Sequence, residues 1–396
     1  MPEWCRRSCL RWAALAVVAG LCPVAEARAE EPEAPRPRTD FVLVPYGTYS
    51  SDMGLGLGLN TAIYLREAGW VPYRYSLRGQ IYGNFGGMQN HALYFDAPQL
   101  WGSEWRSLAN VGYFREAAHP FYGVGNSTSA VVSPGLTRRE DLTMDVRSWH
   151  GAVSAQRSVN KVWKFGMEYA MRLSSVDADP RSLLRRRQPV GDHGGFISQF
   201  EVEFDYDTRD LEMSPTRGVL GTVALRGASR LSGSEFRYAG LTLAMHGYKA
   251  LFDLGPRLVV AGRIVFDGLI GGVPVELLPQ FGGHVRALEG VGGAVSVRGL
   301  ERFRYTGKVR MLANGEVRSR LARWHYGVRP VDLFIAGFCD VGRVWAEWAP
   351  DGPLFKVHPS VGGGVRLAYV EDYLLRFDAG YSETGLGMYV EFGQAF

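Results

Sequence analysis

Cysteine is nearly absent: there are four in 396 residues, and three of them, Cys5, Cys9 and Cys22, lie within the first 22 positions. Beyond these stands Cys339 alone, so no internal disulfide framework can staple that part of the chain. An excess of one charge is missing too. Lys and Arg number 44 against 40 Asp and Glu and are interspersed, which leaves no concentrated basic face for nucleic acid. After Ala29 no apolar run reaches the roughly 18 residues that a membrane-crossing helix needs. Also lacking are paired Cys/His zinc spacings, an HExxH pair and a G-x-S-x-G elbow, and the eight His are scattered. The nearest Ser/His pair, His358-Pro359-Ser360, sits at a strand start. No enzyme, metal or cofactor is therefore expected.

What the chain has is glycine (50), aromatic residues (12%) and a hydrophobic share of 46% against 21% charged, the composition of a folded chain rather than a disordered one. Arg6, Arg7 and Arg11 precede the apolar run from Ala13 to Leu21, and small residues around Ala25, Ala27 and Ala29 follow, the order of a secretory signal peptide over 1–29. Residues 30–39 read as a short Pro/Glu/Arg linker on the periplasmic side. From 40 to 396 the expectation is one barrel domain.

That domain repeats with a period of two. Phe200, Val202, Phe204 and Tyr206 alternate with Gln199, Glu201, Glu203, Asp205 and Asp207, and Trp163, Phe165, Met167, Tyr169, Met171 and Leu173 alternate with Lys164, Gly166, Glu168 and Arg172. Tyr73, Tyr75, Leu77 and Ile81 are assigned to one outward face. Strands are expected near 41–50, 54–66, 72–85, 90–101, 104–115, 139–157, 161–175, 194–208, 217–229, 235–250, 256–268, 306–321, 331–345, 360–370, 372–382 and 387–396. Sixteen is an even number, and several strands exceed ten residues, longer than the five or six usual in soluble sheets. Long strands, apolar outside and polar inside, are what a bilayer requires of a sheet, because hydrocarbon satisfies no open edge. The fold class is thus all-β, a sixteen-stranded antiparallel transmembrane β-barrel in the outer membrane of a Gram-negative bacterium, with its N-terminus periplasmic. The series Gly54-x-Gly56-x-Gly58 lies inside such a strand with no helix after it, so it reads as packing and not as a phosphate cradle.

The motifs FYGVGN (121–126), FDYDTRD (204–210), PTRG (215–218), QFGG (280–283), VRGL (297–300) and GFCDVGRVW (337–345) occur in the order found in the BamA/TamA-type superfamily, the bacterial surface antigen family, and the chain resembles it over essentially all of this domain. The resemblance implies a barrel that inserts or translocates proteins, normally preceded by periplasmic POTRA domains. With the barrel pattern beginning by Phe41, a POTRA-less member is expected. The resemblance further implies that the long loop between strands eleven and twelve is extracellular and folds into the lumen, with Arg298 pairing with acids on the two following strands and Gly299 turning tightly beside it. Alternation points Glu316 and Asp340 inward, which makes them the acids in question. These residues read either as a structural clamp or as a latch whose release frees the loop.

A lateral seam between the first and last strands is the other expected site, with Pro45 and Gly47 weakening the first strand and Phe392 and Phe396 on the last. Two functional readings stand: a factor for insertion or transport of outer-membrane proteins, working with a client or periplasmic partner, or a passive pore or structural surface barrel. Lipid and lipopolysaccharide are the surrounding partners, the latter through the basic run Arg185-Arg186-Arg187.

Overall fold

The computed structural model describes residues 37–128, 138–212, 214–251, 258–286, 288, 290–327, 329–349, 352–353, 356–369 and 373–396. The signal segment and most of the expected linker lie outside these residues. The strands are β1 (Arg38–Ser50), β2 (Gly54–Arg66), β3 (Tyr75–Asn84), β4 (Met88–Ala97), β5 (Trp105–Pro120), β6 (Thr143–Ser158), β7 (Trp163–Asp177) and β8 (Gly194–Asp207). They continue as β9 (Gly218–Ala228), β10 (Tyr238–Ala250), β11 (Leu258–Gly271), β12 (Val309–Tyr326), β13 (Arg329–Trp345), β14 (His358–Tyr369), β15 (Tyr373–Ser382) and β16 (Gly385–Phe392). Each pairs antiparallel with the next, and β1 meets β16 to close a sixteen-stranded barrel. Among the described residues no helix is long and apolar enough to cross a membrane. The strands from β2 to β15 can do so because each pairs its backbone groups with both neighbours.

The period of two sets the two surfaces. On β8, Phe200, Phe204 and Tyr206 are exposed on the outer wall while Glu201 and Asp205 are buried inside. The glycine series on β2 has a packing cause: a Cβ on Gly56 would fall 2.1 Å from the Tyr82 hydroxyl and one on Gly58 2.2 Å from the Tyr46 ring, and the two rings stack inside the wall with centroids 6.0 Å apart.

One end of the barrel carries short turns, and the other carries long loops. The longest, residues 272–308, turns back into the lumen. Its Val291, Val297 and Leu300 are fully buried against Val265 of β11, Leu312 of β12 and Val344 of β13. Above it the short helix α1 (Leu183–Arg187) inserts Leu183 and Leu184 among Phe121, Met144, Val273 and Leu278, so the loops form an apolar lid on the mouth.

Several strand limits differ from the sequence reading. Pairing begins at Arg38, inside the expected linker, because Asp40 accepts hydrogen bonds from Arg38 (2.5 Å) and Arg66 (2.6 Å) and zips β1 to β2. Strand β5 continues to Pro120 through a bulge between Glu116 and His119 that interrupts the alternation. Tyr73 precedes β3 and points inward, packed on Tyr64 with its hydroxyl donating to Asp96 at 2.6 Å. Strand β16 stops at Phe392, not at 396. Gly393 takes φ +86°, a left-handed conformation that glycine adopts without a steric cost, and the tail turns into the lumen.

Candidate functional site

The loop 272–308 carries Arg298 to the inner face of the wall, where its side chain is 1% exposed. Its Nε and Nη2 donate to Asp340 Oδ2 (2.8 Å) and Oδ1 (2.9 Å), its backbone N–H donates to the same carboxylate (3.2 Å), and Nη1 donates to Glu316 (2.8 Å) and Asp378 (3.1 Å). The guanidinium carbon also lies over Phe338, 3.4 Å from the ring centroid. Burial alone would push the Arg298 pKa down. The hydrogen bonds and charges of Asp340, with those of Glu316 and Asp378, outweigh it and raise the pKa further, so the group stays charged. Three carboxylates on β12, β13 and β15 therefore converge on one guanidinium, in a forked geometry that an ammonium cannot copy. Arg318, Arg366 and Arg376 bridge the same acids and complete a buried ionic layer.

Gly299 links this clamp to the last strand. At φ +103°, a Cβ there would strike the Gly380 backbone at 2.7 Å. Its N–H donates to the Tyr389 hydroxyl of β16 at 3.0 Å, and Tyr389 is one of only two β16 residues in register with β1. The other is Val390, opposite Tyr49, and Ser51 N–H adds one bond to Met388 O at 3.0 Å. The eleven residues from Arg38 to Thr48, Pro45 and Gly47 among them, pair with β2 alone. Pro45 cannot donate to a partner on that free edge. Phe392 faces outward at the end of β16. Phe396 does not lie on the seam. Past Gly393 the tail enters the lumen, where Arg318 donates to the Phe396 carbonyl (2.9 Å), Arg263 donates to that of Ala395 (3.2 Å), and the Phe396 ring lies 4.9 Å from the Arg263 guanidinium.

Sequence reasoning missed the far side of the loop. Arg302 donates to Glu116 of β5 at 2.5 Å, and His119 Nδ1 lies 2.8 Å from the other oxygen of that carboxylate. Arg304 donates to the Thr128 carbonyl at 2.6 Å, and Gly125 N–H donates to Thr306 O at 2.8 Å, so the FYGVGN segment docks on the loop. In the QFGG segment the Gln280 carbonyl receives Arg226 (3.2 Å) and Arg310 (2.9 Å), both of which also pair with Asp267. PTRG closes the turn after β8: Asp210 accepts from Thr216 N (2.8 Å), Thr216 Oγ1 (2.5 Å) and Arg217 N (3.2 Å). The His358 ring is committed to Glu383 (2.7 Å), Asn126 (3.1 Å) and a stack on Tyr305 (3.6 Å between centroids), a structural role.

A family model described as the Omp85 superfamily domain matches residues 76–396. Among solved structures, BamA from Haemophilus ducreyi lacking POTRA domains 1–3 is similar at 15% identity and a TM-score of 0.61, over 90% of this chain and 70% of that one. CdiB from Acinetobacter baumannii (12%, TM-score 0.51) and CdiB from Escherichia coli (12%, TM-score 0.55) share the fold over 90% and 88% of this chain. The chain spans only 60% and 63% of their lengths. No curated protein sequence matches the chain. The family match and a closed sixteen-stranded barrel with a loop in its lumen lead to one identification: this chain belongs to the Omp85 superfamily and is a barrel of the outer membrane.

Proposed function

We propose that this barrel assists the insertion or translocation of outer-membrane proteins by opening sideways between β1 and β16. One observation carries the reading: the seam holds two residues in register, whereas β1 and β2 pair along all thirteen. A free edge of eleven residues offers a client strand the backbone hydrogen bonds that β16 leaves unused. The Arg298 clamp, the structural reading weighed from sequence, serves this by fixing the loop to β12, β13 and β15 and, through Gly299, steadying Tyr389 at the remaining seam contact. A passive pore fits less well, because the loop packs its side chains into the lumen along β11 to β13. No catalytic step enters the reading. A client or a periplasmic partner protein would approach the short-turn end, and lipopolysaccharide would meet the long loops, where Arg186 and Arg187 are exposed.

A disulfide tests the seam. Tyr49→Cys with Val390→Cys places two cysteines at a registered pair, and oxidation should abolish assembly of a reporter outer-membrane protein while a reductant restores it. Unchanged assembly with the disulfide formed would end the lateral reading. Orientation is tested separately with a membrane-impermeant thiol reagent on intact cells. Arg186→Cys on the long-loop side should label and Glu212→Cys on the short-turn side should not, and the reverse pattern would invert the barrel.

A further inference from the structure

Away from the clamp, the base of the long loop touches β8 in a different way. Gly283 packs so closely on the wall that a Cβ would lie 2.8 Å from Ala224, and its N–H donates to Glu201 at 3.1 Å. This brings His284 to Glu203 and Asp205, which face inward two positions apart on β8. One ligand atom from each of the three residues lies within 4.8 Å of the others. The set joins residues about eighty positions apart, which is why no spacing in the sequence signalled it.

The charge balance makes this cluster unlike its neighbours. Glu168 and Glu201 share Arg286 at 2.7 and 2.8 Å, and Asp207 holds Arg209 at 2.9 Å and Lys164 at 3.3 Å. Among the described residues no Arg or Lys is paired with Glu203 or Asp205: the two carboxyl groups hydrogen-bond each other, and Glu203 faces the His284 imidazole at 3.7 Å, too long for a hydrogen bond. Asp205 also accepts from Thr222 Oγ1 at 2.6 Å, the kind of second hydrogen bond that orients a ligating carboxylate. A second imidazole, His246 on β10, is 6% exposed and within electrostatic reach of His284, and its Nε2 has no hydrogen-bond partner among the described residues. Two adjacent carboxylates without a fixed cation and an imidazole from the loop form a mixed N/O donor set suited to a divalent transition ion, with the unused His246 nitrogen buried nearby.

We propose that Glu203, Asp205 and His284 bind a divalent transition-metal ion, with Zn2+ as the probe. The ion would bridge β8 to the loop base, a second tie of the loop to the wall independent of Arg298. Full-length barrel in detergent, stripped with a chelator, is titrated with Zn2+ by calorimetry, and Co2+ absorption reports the ligand field. One equivalent should bind, and His284→Ala and Asp205→Asn should each weaken it at least tenfold. His193→Ala, an exposed imidazole on another loop, should leave it unchanged. Zn2+ should also slow proteolysis of the loop at 283–286 in the wild type and not in His284→Ala. Heat-modifiable migration on gels establishes that each variant is folded, and Glu203→Gln replaces any that is not. The same affinity in wild type, His284→Ala and Asp205→Asn would mean an adventitious ion only, and no binding at 100-fold molar excess of Zn2+ would equally overturn the site. Either failure leaves the seam reading intact, since that reading needs no ion.

Discussion

The wall from β9 to β15 and the wall from β1 to β7 differ in what lies against their inner faces. In the first, Arg226, Asp267 and Arg310 form one buried ionic cluster and Glu316, Asp340 and Asp378 another around Arg298, and both are tied to the loop. In the second, inward residues such as Gln80, Asn90, Tyr94 and Asn110 are uncharged and only partly buried, and a cavity of about 420 Å3 separates part of this wall from the loop. Of its ion pairs, Arg115 with Asp145 reaches solvent, 35% and 19% exposed, while Glu116 of β5 is buried against Arg302 of the loop. The two halves meet at the two-residue seam. A charge taken out of water requires well-placed partners, and satisfying it rigidifies the surroundings. Uncharged polar residues in a wet lumen impose no such demand. The proposed lateral opening therefore assigns the motion to a looser half, tied to the loop at Glu116 of β5, and leaves the ionic half stiff.

Breaking the clamp should show the difference most strongly. Arg298→Ala leaves Asp340 buried without a guanidinium partner in the stiff half and is expected to cost about 3–5 kcal/mol, read as a lower temperature for loss of the heat-modifiable gel shift. Arg298→Lys should recover only part of this, and Asp340→Ala should loosen the loop more than Glu316→Ala because Asp340 also accepts the Arg298 backbone N–H, while Glu316 accepts from side chains alone. The matched change in the looser half, Arg115→Ala, should stay within about 1 kcal/mol. Equal effects in the two halves would erase the distinction.

A smaller effect sharpens the boundary between the halves at the turn after β8. Burial tends to raise the Asp210 pKa, but the hydrogen bonds from Thr216 and Arg217 outweigh it and hold the carboxyl below its ordinary 3.8. A group depressed in the folded state stabilises above the unfolded value and loses that contribution as pH falls through the folded one. Protease cleavage within 208–217 should therefore rise only below pH 3.8 in the wild type, while in Asp210→Asn it should be higher at neutral pH and lose that acid-dependent rise. A pH-independent wild type would show that the carboxylate does not hold the turn.

The strand number, the alternation and the inward phase of Glu316 and Asp340 could be read from the sequence because a period of two encodes which face a residue occupies. Partners could not be read that way. Asp378 alternates with Phe377 and so faces inward by the same period, yet nothing in the sequence says that β15 curves close enough to share Arg298. The Arg302–Glu116 pair was hidden by the β5 bulge, which shifts register where the acid sits. Phe396 looked like the last outward residue of a strand because its spacing from Phe392 is even. Gly393 rotates the chain out of that pattern, and the guanidinium groups of Arg263 and Arg318, distant in sequence, hold the ring inside.

The central claim is that the barrel moves at the seam while the clamped half stays fixed. Pulsed electron spin resonance distances test it directly, with one label pair at Ile63 on β2 and Phe377 on β15 and another at Met245 on β10 and Ile335 on β13. All four residues are exposed on the outer wall, and each pair is three strand steps apart. The account predicts a broad or two-component distribution across the seam and a single narrow one across the clamped wall. Equally narrow distributions for both pairs would contradict it.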